Sequence, residues 1–222
     1  MSIKQGVEAA AVAAVATQAQ EPTIMHIPEQ ATSHNPVAHD ASLAGSTAPE
    51  ALSSIAVLRM RDVGVAQVAA VFTPVGLELV HVEAGQTIPG SHWGDDEAGL
   101  IAQQLFWRDD TPVHSVFHEA CHWLLMDEQR RQQLHTNAGG TLLEECAVCY
   151  LQICIAELLP AMNQARMMRD MDQWGYSFRL GSTAAWFNED AQDAAAFLLR
   201  PDCRLPAAML HLVQAARAGQ PH

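Results

Sequence analysis

Thr111-Pro112-Val113-His114-Ser115-Val116-Phe117-His118-Glu119-Ala120-Cys121-His122-Trp123-Leu124-Leu125 is the stretch on which the reading of this chain turns. Thr111 before Pro112 is a helix-start signal, with Thr as N-cap and a proline at the first helical position, where its missing N–H costs nothing. Val113, Phe117, Ala120 and Leu124 recur at helical spacing, which predicts a helix running to the Arg130 region. Val116, Phe117, Trp123, Leu124 and Leu125 leave it little polar face, so it is expected to be buried, where unpaired polar groups are costly. A buried helix carrying His118, Glu119 and His122 needs something to satisfy them. Residues four apart share a helix face. The two imidazoles can therefore converge on one point, a spacing that tetrahedral Zn²⁺ accepts. Glu119 can reach a zinc-activated water without ligating the ion. Its carboxylate would take the water's proton as the water attacks a carbonyl, then pass it to the leaving amine.

A catalytic zinc has three protein ligands and one open position, so a third ligand is expected from elsewhere. Asn137 to Gly140 breaks the first helix, and Thr141 opens another that runs on apolar residues to Pro160. Glu144 and Glu145 lie in its first turn. On a helical wheel Glu144 shares the face of Ala147, Val148, Leu151, Ile155 and Leu158, whereas Glu145 lies beside Gln152 on the flank. Glu144 is therefore preferred, with Glu145 the alternative. Thr141 and Glu144 also form a capping box that would satisfy the Glu144 carboxylate locally.

His118-Glu119-Ala120-Cys121-His122 followed by a Glu on a downstream helix resembles the zincin metallopeptidases, specifically the gluzincin branch. The resemblance implies a zinc hydrolase of peptide bonds, with His118, His122 and the helix-borne Glu as ligands and Glu119 as general base. It spans roughly residues 55 to 160. A small residue often stands three positions after the ligand Glu, and Ala147 matches if Glu144 is the ligand. The aspartate that many members carry four positions after that Glu is absent, since Val148 stands there. The family also has a strand running antiparallel to bound substrate, for which Leu77 to Val82 is the candidate. No further His follows His122 closely, so the metzincin branch does not fit.

Upstream, Ile55 to Leu58, Val68 to Phe72 and Leu77 to Val82 are short, partly β-branched runs that read as strands, and Thr73-Pro74-Val75-Gly76 has hairpin chemistry. Gly85, Pro89, Gly90, Gly94 and Gly99 punctuate an irregular segment after them. Downstream, helices are expected over Met162 to Trp174, Ala184 to Leu199 and Pro206 to Ala218. The fold class is α+β: a small antiparallel or mixed sheet, then a helical half carrying the motif. Residues 1–50 are rich in Ala, Ser, Thr, Pro and Gln and read as a flexible tail; 51–222 read as one zincin-like domain.

The chain carries 25 Asp and Glu against 12 Lys and Arg, a formal net charge of −13. That composition argues against nucleic acid and anionic membrane as partners, because affinity for polyanions comes from basic residues. The partner implied by the resemblance is a peptide or protein substrate. No apolar run approaches the roughly 20 residues that span a bilayer. Ala9 to Ala16 is too short and too weakly hydrophobic for a signal peptide. The five cysteines are odd in number and not spaced as a disulfide framework, which fits a reducing cytoplasm.

Other residues have plainer readings. His114 lies about 12 Å along the helix axis from His122, too far to share its ion, and is expected to support the ligands or lie at the surface. Cys121, Cys146 and Cys149 read as small core residues. His135, Tyr150, Tyr176 and Arg179 are donor types suited to a developing oxyanion, with no spacing to choose among them. Trp174 to Arg179 reads equally as a cleft border or a core turn; Ser91 to Glu97 reads as a solvated loop, with a cleft lining or a weak cation site as the alternative. A different class of function is also open: a zinc-containing regulatory or protein-interaction domain without turnover. A plain α+β domain whose motif binds nothing is the third.

Overall fold

The computed structural model describes residues 56–92 and 94–219. The expected tail lies outside them, as do Ile55 and Trp93. The described chain is α+β, with a small mixed sheet followed by helices. In chain order its elements are α1 (Val65–Phe72), β1 (Glu78–His81), β2 (Gly99–Ile101), β3 (Gln104–Trp107), α2 (Val113–Leu125) and α3 (Glu128–Gln133). They continue with α4 (Leu142–Ile155), α5 (Gln164–Trp174), α6 (Thr183–Glu189), α7 (Gln192–Leu198) and α8 (Ala207–Ala218). No helix among the described residues is long and apolar enough to cross a membrane.

Strand order is β1-β3-β2. β1 runs parallel to β3, with Leu79 opposite Leu105, and β2 runs antiparallel to it, with Leu100 opposite Leu105. Only the third of the expected strands forms as such, as β1. Val68 to Phe72 belongs to α1, because Val68, Val71 and Phe72 recur at helical spacing and that spacing buries all three. Residues 56–58 stay outside the sheet. Thr73–Val75 forms a 3₁₀ turn that ends on Gly76 at φ 102°, joining a helix to a strand rather than two strands. β2 and β3 arise where no strand was expected. They are short, and Gly99 opens the first because a Cβ there would collide with the Pro89 carbonyl and the Ser91 amide.

α2 packs on β2 and β3, and α4 packs on α2, α5, α7 and α8. Every residue from Val113 to Leu124 in α2 and from Cys146 to Ile155 in α4 is buried. Pro112 itself is the N-cap of α2; the Thr111 hydroxyl instead accepts from the Arg108 amide at 2.9 Å. The helix stops at Leu125, short of the expected Arg130 region. Asp127 breaks it by capping α3, its carboxylate accepting from the Arg130 amide at 2.8 Å. Arg131 then turns back, donating to the Trp123 and Leu124 carbonyls at the end of α2, the first of which also accepts from the Met126 amide, with its guanidinium 3.9 Å above the Trp123 ring. The expected helix over Ala184 to Leu199 is likewise two, parted at Asp190 and Ala191.

The start of the described chain is strapped to both layers. The Leu58 carbonyl accepts from Val113 N–H at 2.8 Å, and the Leu58 amide donates to Asp170 on α5 at 3.0 Å. Asp170 is wholly buried and also accepts from Arg166 at 2.8 Å. Removing that carboxylate strands a guanidinium and a backbone amide, so Asp170→Ala should cost about 3 kcal/mol. The cost should appear as a lower urea midpoint with unchanged slope; a loss below about 1 kcal/mol would show that the strap contributes little.

Candidate metal centre

His118, Glu119 and His122 sit in the middle of α2, each less than a tenth exposed. α4 crosses them with its first turns, and the residue it brings to the imidazoles is Glu145. His118 Nε2 lies 3.0 Å from Glu145 Oε1, and His122 Nε2 lies 3.3 Å from Glu145 Oε2. The two Nε2 atoms are 3.2 Å apart. One ligand atom from each of the three residues falls within 4.8 Å of the others.

Glu144, the preferred third ligand on the helical wheel, is not part of this group. Its carboxylate accepts from Arg130 on α3 at 2.7 Å, and its amide donates to the Thr141 hydroxyl at 3.2 Å. The wheel misled because α4 is buried on all sides beyond its first turn, so no apolar stripe marks an inward face. Glu144 does need a partner for its charge, but that partner is a guanidinium.

Three acceptor-bearing groups pressed together in the interior repel unless protons or a cation lie between them. The ring of His118 places Nδ1 2.8 Å from Gln152 Oε1. Glu145 Oε1 accepts no well-aligned hydrogen bond, and His122 Nδ1 is buried without a partner. Zinc ligand bonds of 2.0–2.2 Å meeting at tetrahedral angles set neighbouring ligand atoms roughly 3.3–3.5 Å apart. The two Nε2 atoms, 3.2 Å apart, each with one of the two Glu145 oxygens at 3.0 or 3.3 Å, come close to that spacing. The donor set, two imidazoles and a carboxylate, is also one that zinc takes. The residues present fit the ion.

Burial opposes ionisation of Glu145, but the charges and hydrogen bonds of His118 and His122 outweigh it and hold the carboxyl well below its usual range. For Glu119 burial dominates over the two imidazoles and raises its proton affinity. No hydrogen bond to the Glu119 carboxylate occurs among the described residues, and its electrostatic neighbours are His118, His122, Glu145 and His92.

Two of the segments singled out in the sequence border the site. Glu97, in the segment read as a solvated loop, accepts from the Trp174 indole at 2.7 Å and feels the charges of His118 and Glu119. Burial, against the pull of that hydrogen bond, raises its pKa. The loop is fastened further by the Ala98 amide donating to Ser115 at 3.0 Å and by an ion pair between Arg59 and Asp96. In the Trp174 to Arg179 turn, the Tyr176 ring stands edge-on to His118 with centroids 5.8 Å apart, while Phe178 stacks on Trp186 in the core. The segment thus meets the imidazole through Tyr176 and enters the core through Phe178.

Of the other donor types, Tyr150 stacks on Phe187, Arg179 pairs with Asp190, and exposed His135 bonds to Thr136. None of these contacts is to His118 or His122. Cys121, Cys146 and Cys149 are buried free thiols as packing residues would be, but Cys149 is also hydrogen-bonded to His118. Gln152 and Cys149 were not anticipated at the site. The available signal was Gln152 beside Glu145 on the wheel, two polar residues on one flank of an apolar helix.

No protein-family model, curated protein or solved structure matches the chain.

His114 is wholly buried rather than at the surface, with both ring nitrogens unpartnered and its ring 5.2 Å from that of Trp174 and 5.7 Å from that of Tyr176. Burial, aided by the charges of His118 and Arg59, lowers its pKa to about 3.

Two outcomes follow. Glu145→Ala should abolish stoichiometric zinc binding while Glu144→Ala, which frees Arg130, retains it; metal analysis after purification separates the two, and the reverse result would make Glu144 the ligand. A histidine kept neutral in the native state takes up a proton on unfolding below pH about 6.5, so its contribution to stability is lost as pH falls from there toward 3. With metal removed by chelation, wild type should lose about 2 kcal/mol more than His114→Phe between pH 6.5 and 5, by denaturant titration at each pH. Parallel profiles would show that His114 is protonated or solvated in the native state.

Proposed function

We propose that this protein is a zinc-dependent, zincin-like hydrolase of peptide bonds, with His118, His122 and Glu145 as ligands and Glu119 as general base. The observation that carries the proposal is the buried convergence of two imidazoles and one carboxylate on α2 and α4, with a second, non-ligating carboxylate next to them. Structural zinc sites are closed by four protein ligands, whereas catalytic sites keep one position open. The group has three members among the described residues, and this favours turnover over the reading as a regulatory or interaction domain.

When bound, the ion supplies Lewis acidity toward a water and the scissile carbonyl. The protein's own groups do the rest. Glu119 takes one proton from the attacking water as the new C–O bond forms. It returns that proton to the amide nitrogen as the C–N bond breaks, leaving a carboxylic acid and an amine. A base whose proton affinity is raised by burial suits both halves of this exchange near neutral pH. The Tyr176 phenol, kept protonated because burial raises its pKa, can donate to oxygen as negative charge develops on it.

The resemblance to gluzincins shifts in detail when counted from Glu145. The position four residues later is Cys149, whose thiol touches His118, and the position three later is Val148 rather than the small Ala147.

Freshly purified protein should contain one zinc per chain, and a quenched-fluorescence peptide library should be cleaved in a manner blocked by chelation. Glu119→Gln should keep the metal and lose about 10²–10⁴ of the rate. Equal cleavage by that variant refutes the assigned base. Full zinc with no cleavage of any library member by wild type would make this a non-catalytic zinc domain.

A further inference from the structure

We propose that Gln152 is a positioning residue, one that keeps the outer proton of His118 on Nδ1 and thereby leaves Nε2 free for a metal; the inference rests on the zinc reading above. A neutral imidazole carries one proton, and the hydrogen bond made by one ring nitrogen decides which nitrogen keeps it. In His118, Nε2 faces Glu145 at 3.0 Å and His122 at 3.2 Å, and Nδ1 faces Gln152 Oε1 at 2.8 Å. An amide oxygen can only accept, so Nδ1 must hold a proton. In the neutral ring Nε2 then carries no proton, and a cation can meet its lone pair with no rearrangement of the ring.

An amide has two ends, and the opposite end settles which one meets the imidazole. Gln152 Nε2 points at Met167 Sδ on α5, 3.7 Å away. Gln152 and Met167 are both fully buried, so bulk water does not compete for either end. Were the amide reversed, its N–H would face Nδ1, the ring proton would be forced onto Nε2, and that nitrogen would pair with Glu145 and be lost as a ligand. Gln152 lies two helical turns after Glu145 on the same helix. One rigid element therefore supplies both the anionic ligand and the group that orients the neutral one.

The two histidines differ in this respect. His122 Nδ1 is buried with no partner among the described residues, so none of these presets its ring in a comparable way. His118 is the prearranged half of the pair, and loss of its acceptor should be felt directly in affinity. A neutral amide also does this without burying another negative charge beside Glu119 and Glu145, which would cost stability whenever the ion is absent. The Cys149 thiol touches the same ring and is the competing candidate for the role.

The test uses Zn²⁺ alone, competed against a fluorescent chelator. Gln152→Leu keeps the volume and removes the acceptor; it should weaken zinc by about 10–100-fold with an unchanged circular dichroism spectrum. Gln152→Glu, which restores an acceptor, should return affinity to within threefold of wild type or better. Unchanged affinity in Gln152→Leu overturns the inference, as does a larger loss from Cys149→Ala than from Gln152→Leu. Nitrogen-15 NMR of metal-free wild type, at a pH where the ring is neutral, should show the His118 proton on Nδ1. A proton on Nε2 overturns the inference even if the Leu variant does not fold. If wild type binds no zinc, the metal reading fails, and the NMR result still judges Gln152 by itself.

Discussion

A helix enclosed on every side can carry polar groups only if they answer one another. α2 is such a helix, and His114, Ser115, His118, Glu119 and His122 are all inside the protein with it. Four of the five are taken up by neighbouring elements, and Glu119 lies beside the imidazoles. Ser115 fastens the loop ahead of β2, His114 packs between aromatic rings, and His118 and His122 turn to Glu145. The rest of the architecture serves this requirement. β2 and β3 cover one side of the helix, α4 brings an anion and an amide to another, and the 174–176 turn closes over the imidazoles with aromatic rings.

The electrostatics follow from the same enclosure. In the interior a carboxylate is stable only beside a cation or a proton. Glu144 meets that demand with Arg130, Glu145 with the two imidazoles, and Glu97 in part with an indole N–H. Glu119 accepts no hydrogen bond among the described residues, and burial outweighs the nearby imidazole charges to raise its hold on a proton. One local environment thus separates four acidic side chains into distinct chemical roles.

Much of the helical half could be read from the chain because its punctuation is chemical. Thr141 caps α4, and Gly175 at φ 104° ends α5 where expected. Where reading failed, a local preference met a tertiary constraint. β-branched residues in Val65–Phe72 suggested a strand, yet their spacing buries one helical face. β2 and β3 are too short to leave a period, and they depend on a glycine whose role appears only when Pro89 and Ser91 are seen against it. At the site, His118, Glu119 and His122 were legible because their spacing matches a helical turn. The choice between Glu144 and Glu145 was not, since amphipathicity loses its meaning on a helix with no solvent face. Arg130, which claims Glu144, belongs to a short helix that was expected to be the end of α2.

The position of α4 has a kinetic side. Glu145 rides on a helix hemmed in by α2, α5, α7 and α8, so its backbone cannot draw away from the imidazoles without disturbing that packing. Were an ion held there, its release would need the partly exposed Glu145 side chain to turn aside or the helical half to open. If opening were the slower route and the one taken, the ion would behave as a resident acquired while the chain folds, distinct from one sampled reversibly from solution.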